Sequence, residues 1–390
     1  MTVRVNKSSF NIREKLSELE RPIGLKGSEL MRAETAQEAR DFVSAGRKNL
    51  IINGDMKVHQ RGGTITATNT NSSIYGLDRW RTWCYPSGVS AVYTLQQLSS
   101  NPPPGFHNYF RWTTTTSYAV SGNQNSFFDI QQPIEGYNLK GIDIGKSTAK
   151  PLTISFWVRS SIAGKYSFST YYAGANPSNY LKYYVINSAN TWEYKTITLP
   201  PQTATANGEG QGNLMGILVS WSMGMGTTYA TTSTTEGYHQ NKYELGGSVR
   251  IIENTNATFD ITGVQLEVGK NATEFEHRSF GEELALCQRY YQKSYNYSQS
   301  PGAGTSSGSE WFTREGASGR IVTTTSFQVQ MRATPTFKLY DWAGNVDRVR
   351  TSSGNNQTIT ESYAHEKKIV VGKTASISEL LYQWYAEAEL

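Results

Sequence analysis

The sequence predicts a mainly β protein: an antiparallel β-sandwich, preceded by a charged helical segment and followed by a small C-terminal β-region. Three observations carry that reading. The hydrophobic fraction of the 390 residues is only 37%, while aromatics reach 12%, with 24 Tyr and 35 Gly; such chains form extended, turn-rich structures rather than helical enzymes. Between residues 49 and 278, about ten β-forming runs follow one another, separated by Gly, Pro and Asn with no helical stretch between, which means antiparallel pairing in two sheets. Charge also drops sharply: 17 of the first 48 residues are charged, against 30 of the next 230. That places a domain boundary at residue 49.

Residues 1–48 are the first unit. The opening MTVRVNKSSF alternates weakly, with Val3, Val5 and Phe10 as its apolar members. It reads as an extended arm that orders against a partner. Asn11 caps a short helix that puts Ile12, Leu16 and Leu19 on one face, and Pro22 and Gly24 stop it. Thr35 and Glu38 make a capping box for a second helix with Ala36, Ala39, Phe42 and Val43 in its stripe, ended by Gly46. Neither stripe makes a self-standing unit, so both need another surface, whether the chain's own β-domain or other copies.

Residues 49–278 are the sandwich. Leu50, Ile51 and Ile52 read as a buried strand that opens it, with turns at Asn53–Gly54 and Gly62–Gly63. Trp80 begins another strand, with Asp78 and Arg79 at its mouth. Further strands are expected at Val92–Leu98, Tyr109–Thr116, Ser126–Gln132, Leu152–Arg159, Tyr166–Tyr172, Tyr180–Asn187, Trp192–Leu199, Met215–Trp221, Ser248–Glu253 and Val264–Val268. Ala204–Asn213 and Ser222–Gly237 read as long surface loops. Ser279 and Glu282 form a capping box for a connecting helix over 279–293. The C-terminal β-region, 294–390, opens on a low-complexity linker over 294–310. Its strands are expected at Arg320–Met331, Thr336–Tyr340, Ile369–Val371 and Leu381–Glu389. About 80 residues of β structure are marginal alone but adequate when packed on a neighbour or trimerised.

Several function classes are excluded. The net charge is +5, without a basic block interleaved with aromatics, so nucleic acid is not an expected partner. No run approaches the length of a membrane-spanning helix, so membrane insertion is not expected either. The start has no secretory pattern, which points to assembly in a cytoplasm and to Cys84 and Cys287 as buried free thiols. The five histidines are scattered and no HxxxH, CxxC or HExxH spacing exists. Glu135, Asp143, Asp129 and Asp78 are isolated, there is no GxSxG, and no β-helix repeat occurs. The chain reads as a non-enzyme without a cofactor.

Five strings in order resemble a known family. NLIINGDMKVHQRG followed by YGLDRW is similar to the start of a jelly-roll module of phage tail fibres and other virion appendages. FDITGVQLEVGKNATEFEHRS resembles its final strand, and EELALCQRYYQK the helix after it. FQVQMRATPTFKLYD with YAEAEL resembles the small β-region beyond that helix. VRVNKSSFNIREKL and ELMRAETAQEARDFV resemble virion-attachment segments of short-tailed phages of marine and cyanobacterial hosts. The resemblance implies a structural protein of the virion, a homotrimeric tail fibre that contacts other tail or head proteins through residues 1–48. Val3, Val5, Phe10, Ile12, Leu16, Leu19 and Phe42 are then the attachment candidates. The alternatives are a head-decorating or head-fibre protein or a tail adaptor, or else a cellular carbohydrate-binding module cut from its enzyme.

PLTISFWVRSS and WEYKTITLP also resemble recurring strands of carbohydrate-binding modules. That likeness implies recognition of a host surface polysaccharide by aromatic stacking. The glycan-contact candidates are Tyr171, Tyr172, Tyr180, Tyr183, Trp221 and Tyr238, whereas Trp80, Trp83, Phe156, Trp157 and Trp192 are assigned to packing in or near the core. Such modules often hold calcium between the opening stretch and the last strand. Asp55 and Asp260 are the acids the resemblance offers for it, but Lys57 stands where the family has an acid. Two carboxylates are too few for a hard cation, so no metal is expected.

Overall fold

The computed structural model describes residues 48–390 apart from 69–71, 86–91, 123, 205, 207–210, 314–319, 352–353, 355 and 375–378. The chain divides into two compact units, Met1–Lys48 and Asn49–Leu390. The seven attachment candidates, from Val3 to Phe42, lie outside the described residues.

In chain order the sandwich strands are β1 (Ile65–Thr68), β2 (Ser72–Leu77), β3 (Trp80–Tyr85), β4 (Val92–Leu98), β5 (Tyr109–Thr116), β6 (Phe127–Glu135) and β7 (Leu152–Ser160). They continue as β8 (Gly164–Tyr172), β9 (Asn179–Ile186), β10 (Glu193–Leu199), β11 (Met215–Met225), β12 (Gly237–His239) and β13 (Thr258–Val268). One sheet has the order β1-β4-β5-β13-β7-β10 and the other β12-β9-β8-β11-β6-β3-β2. Every pairing between these strands is antiparallel. Last strand beside early ones in a two-sheet stack is jelly-roll connectivity. Inner faces alternate as a half-buried strand must: Phe110 and Trp112 on β5, Ile154, Phe156 and Val158 on β7, and Ile217, Val219 and Trp221 on β11 share one core.

The opening stretch is not a strand. Residues 49–63 run as bends and turns, although Ile51, Ile52, Met56 and Val58 are buried. Asn53 and Met56 hold positive φ angles of 59° and 57°, which breaks any ladder. The segment is stitched to β13 instead. Asn49 Nδ2 donates to Val264 O at 3.1 Å, and its Oδ1 accepts from Leu266 N at 3.1 Å and Ile51 N at 2.9 Å. Leu50 N donates to Leu266 O and Val264 N to Gly54 O. Gly54 is required here, because a Cβ on it would lie 2.2 Å from Val264 O.

The expected strand at Ser248–Glu253 is also absent. A 3₁₀ turn covers Ile251–Glu253, where Ile251 and Ile252 are both fully buried. Consecutive residues of a strand face opposite sides, so two adjacent core residues favour the turn. Ser222–Met225, expected in a surface loop, continues β11 and is buried.

Helix α1 (Phe280–Gln288) follows, with the expected capping box: Ser279 Oγ accepts from Glu282 N, and the Glu282 carboxylate accepts from Ser279 N at 2.9 Å. Beyond it come β14 (Tyr291–Lys293), β15 (Glu310–Thr313), β16 (Arg320–Ser326), β17 (Thr336–Tyr340), β18 (Arg348–Arg350), β19 (Asn356–Thr358), β20 (Glu361–His365), β21 (Lys368–Thr374) and β22 (Glu379–Glu387). β22 pairs with β14, β15, β17 and β18, while β16, β21 and β20 make a separate sheet. Residues 294–310 form a tethered loop: Ser294 N reaches Trp384 O at 3.0 Å and Gln383 Nε2 reaches Ser307 O at 2.8 Å.

The neighbour this β-region needs is the sandwich. Arg289 holds the buried Glu135 of β6 through Nε at 3.0 Å and Nη2 at 2.5 Å, and Tyr290 Oη donates to the same carboxylate at 2.6 Å. The buried Arg79 donates to Glu389 and, at 2.6 Å, to Pro133 O. Arg332 bridges Asn213 O with Ala388 O and Glu389 O. Cys84 and Cys287 are buried free thiols.

Candidate functional site

Strand register decides which side chains look out of the first sheet. On β5, β13, β7 and β10 the residues alternate with the core set, so Tyr109, Arg111, Asp260, Thr262, Trp157, Arg159 and Tyr194 face away from it. Asp260 sits between Arg111 on one side and Arg159 on the other. In the next row Thr262 pairs with Trp157, and Trp157 with Tyr194.

The first row is a charged ladder. Asp260 is 1% exposed. Its Oδ1 accepts from Arg111 Nε at 2.7 Å, and its Oδ2 accepts from Arg111 Nη2 at 2.8 Å and Arg159 Nε at 2.7 Å. The hydrogen bond to Asp260 raises the Arg111 pKa above its ordinary value. The Arg159 guanidinium lies 4.6 Å from the centroid of Trp192 and 5.1 Å from that of Tyr109. Trp192 is fixed in turn by donating Nε1 to Asn101 O at 2.9 Å. Beside this ladder is a cleft of about 220 Å³ lined by Ser100, Asn101, Tyr109, Arg111, Arg159 and Asn190. The second row is an aromatic platform, with Trp157 and Tyr194 centroids 5.5 Å apart and Tyr194 45% exposed.

The outer face of the second sheet is occupied by the chain itself. Its floor is polar and buried, with Asp129, Gln131, Ser167, Ser169, Ser220 and Ser222. Ser222 Oγ donates to Glu244 at 2.6 Å, and Ser167 Oγ accepts from Leu245 N at 2.8 Å, so the segment before the 3₁₀ turn lies over it. Arg81 donates to Leu390 O at the other end. Burial pushes Asp129 up to about 6, although Ser220, Trp83 N and Gln131 all donate to it.

The expected glycan contacts do not form one surface. Trp221 is fully buried, 5.4 Å from Phe156, 5.3 Å from Phe168 and 5.8 Å from Trp80, and it is a core residue. Tyr172 is likewise buried on the inner face. Both corrections have one cause: in the pairs Tyr171–Tyr172 and Trp221–Ser222, strand parity sends one member inward. Tyr180 and Tyr238 pack edge to face at 5.1 Å against the core, with Tyr238 Oη on Pro200 O and Pro201 O. Tyr183 faces outward, but its hydroxyl donates to Gly246 O. Tyr171 is outward and half-buried beside Leu218 and Asn179. Conversely, Trp83, Trp157 and Trp192, expected in or near the core, stand on outer faces, with Trp83 39% exposed. The signal that places them is the same parity: Phe156 and Val158 are core, so Trp157 cannot be.

Neither calcium candidate is arranged as a metal ligand. Asp260 is spent on two arginines, and Asp55 Oδ2 pairs with Lys57 Nζ at 2.8 Å. No group of three or more His, Cys, Asp or Glu suited to a metal occurs among the described residues. No helix among them is long and apolar enough to cross a membrane.

No family model and no curated protein matches the chain. Among solved structures it is similar to the enzymatically active domain of tailspike protein 4 of bacteriophage CBA120, with 12% identity and a TM-score of 0.28 over 57% of this chain and 21% of that one. A CBM4 structure aligns at 16% identity and a TM-score of 0.28, over 56% of this chain and 98% of that one. TmCBM61 in complex with β-1,4-galactotriose aligns at 8% identity and 0.27, over 58% and 100%. The chain therefore spans about a fifth of the tailspike domain it matches.

Proposed function

We propose that this chain is a non-catalytic glycan-binding protein of a phage appendage, a homotrimeric tail fibre joined to the virion through residues 1–48. The observation that carries the binding reading is the outward Trp157–Tyr194 pair beside the Arg111–Asp260–Arg159 ladder. Flat rings open to solvent supply faces on which sugar rings stack, and the adjoining guanidiniums and amides supply donors that fix orientation. Nothing in the packing of the sandwich requires those rings, since its core is complete on the inner faces of both sheets.

The appendage reading is supported by the five strings that run in order along the chain. Weak contacts repeated on three copies and several fibres would give firm adsorption through multivalency. The combined Trp157→Ala, Tyr194→Ala variant tests the binding reading. It is expected to lose retention on host cells or their purified surface polysaccharide while its melting temperature is unchanged. Undiminished retention would sink this site. Light scattering of the intact chain tests the trimer, for which three times 43.4 kDa is expected.

A further inference from the structure

We propose that the cleft beside the charged ladder receives the carboxylate of an acidic sugar, a uronic or sialic type of residue in a host polysaccharide. This rests on the glycan-binding reading above and adds the chemical class of the ligand.

The first argument is charge. Two guanidiniums share one carboxylate, which leaves one positive charge at the cleft, and its lining of Ser100, Asn101, Tyr109, Arg111, Arg159 and Asn190 contains no acid of its own. The second is donor geometry. Arg111 spends Nε and Nη2 on Asp260, and Arg159 spends Nε on it with a long 3.5 Å contact from Nη1 to Asn101 O. Neither Arg111 Nη1 nor Arg159 Nη2 has a hydrogen-bond partner among the described residues. The two forks are pinned by Asp260 and by the rings of Tyr109 and Trp192, so their remaining donors are pre-oriented. A planar carboxylate accepting two such N–H groups is the match arginine makes best.

The third argument is size and surroundings. About 220 Å³ is below the roughly 300–1,000 Å³ of drug-sized pockets, so the cleft takes a single sugar ring rather than an oligosaccharide. Asn101 and Asn190 stand at its rim in left-handed turns with φ of 53° and 58°, offering side-chain amides to ring hydroxyls. The adjoining Trp157–Tyr194 platform then seats the next sugar of the chain.

Calorimetric titration of the intact protein with oligogalacturonate and with its neutral galacto-oligosaccharide counterpart decides the matter. At low salt the acidic ligand is expected to bind about tenfold or more tightly, and that preference is expected to vanish near 1 M salt, where screening acts within about 3 Å. Asn190→Asp changes an exposed position whose left-handed backbone aspartate tolerates, and it is expected to abolish the preference. Arg159→Lys keeps the charge but not the fork and is expected to weaken the acidic ligand about tenfold. Equal affinity for the two ligands overturns the acidic-sugar assignment and leaves glycan binding standing. A sulfated neutral sugar that binds as well as the uronate also overturns it, in favour of a general anion seat. Binding of none of these overturns the acidic-sugar assignment, while glycan binding itself is judged by retention of the parent protein on host polysaccharide.

Discussion

The Arg79 guanidinium lies 3.6 Å from the centroid of the Tyr290 ring, in a place where the arginine is only 1% exposed. Arg79 belongs to the turn before β3, and Tyr290 follows the helix that leaves the sandwich, so the contact joins the two β-regions. One nitrogen of Arg79 also holds Glu389 and another Pro133 O. The C-terminal end of the chain is thus tied to the floor of the sandwich by a charge that water does not reach.

From this follows the first prediction. Arg79→Met strips Pro133 O of its donor and takes away one of the two arginines on Glu389, which keeps Arg61 Nη2 at 2.9 Å, so it is expected to cost about 2–4 kcal/mol. Arg79→Lys is expected to rescue little, because an ammonium neither stacks on Tyr290 nor reaches two acceptors in one plane. Urea unfolding of both variants checks this. A loss below about 1 kcal/mol, the scale of a surface pair, would mean the contact is not structural.

Asn49 carries a second prediction. Among the described residues its side chain makes two hydrogen bonds to β13 and one to its own segment, and it is 1% exposed. Asn49→Ala leaves Val264 O, Leu266 N and Ile51 N without that partner and is expected to cost about 3 kcal/mol or more, since each buried polar group left unpaired costs about 1–3 kcal/mol. Thermal unfolding measures it.

How much of this was legible in the sequence follows from what each signal encodes. Val92–Leu98, Tyr109–Thr116 and Thr336–Tyr340 are strands in the structure with the bounds that alternation gives, because one face of each meets a core. Asn49–Asn53 has the same apolar run, but its backbone partners are the bulged part of β13, more than two hundred residues away, and Asn53 turns left-handed. Composition cannot state that. The short strands β14, β18 and β19 are held by pairing with β22 or with each other rather than by any apolar period. At the site, the outward facing of Trp157 was legible in the alternation of Ile154, Phe156 and Val158, whereas Trp221 follows the unbroken run Ile217–Leu218–Val219, where only the register shows which face meets the core.

That separation gives a third prediction. Trp221→Ala empties the centre of the core and is expected to cost about 3–5 kcal/mol, whereas Tyr194→Ala, on an exposed ring, is expected to stay within about 0.5 kcal/mol. Chemical denaturation of the two variants side by side reads this directly. Equal costs would contradict the facing assigned to the two rings.

The last prediction concerns pH. Burial pushes Asp129 up to about 6 from an ordinary 3.8, against the pull of three donors. For an acid raised in the folded state, the native protein binds more protons than the unfolded chain between those values. Its contribution is therefore complete below about pH 4 and is lost as pH rises through about 6. Ionising Asp129 in place is expected to cost about 3 kcal/mol by pH 7. Asp129→Asn keeps an oxygen for Ser220 or Trp83 N and never ionises. The variant is expected to lack that part of the decline in stability between pH 4 and 6, so its stability relative to the parent should improve steadily across the window. Urea midpoints taken at half-unit steps of pH check the sign, and a parallel pair of curves would show that Asp129 stays ionised in the fold throughout.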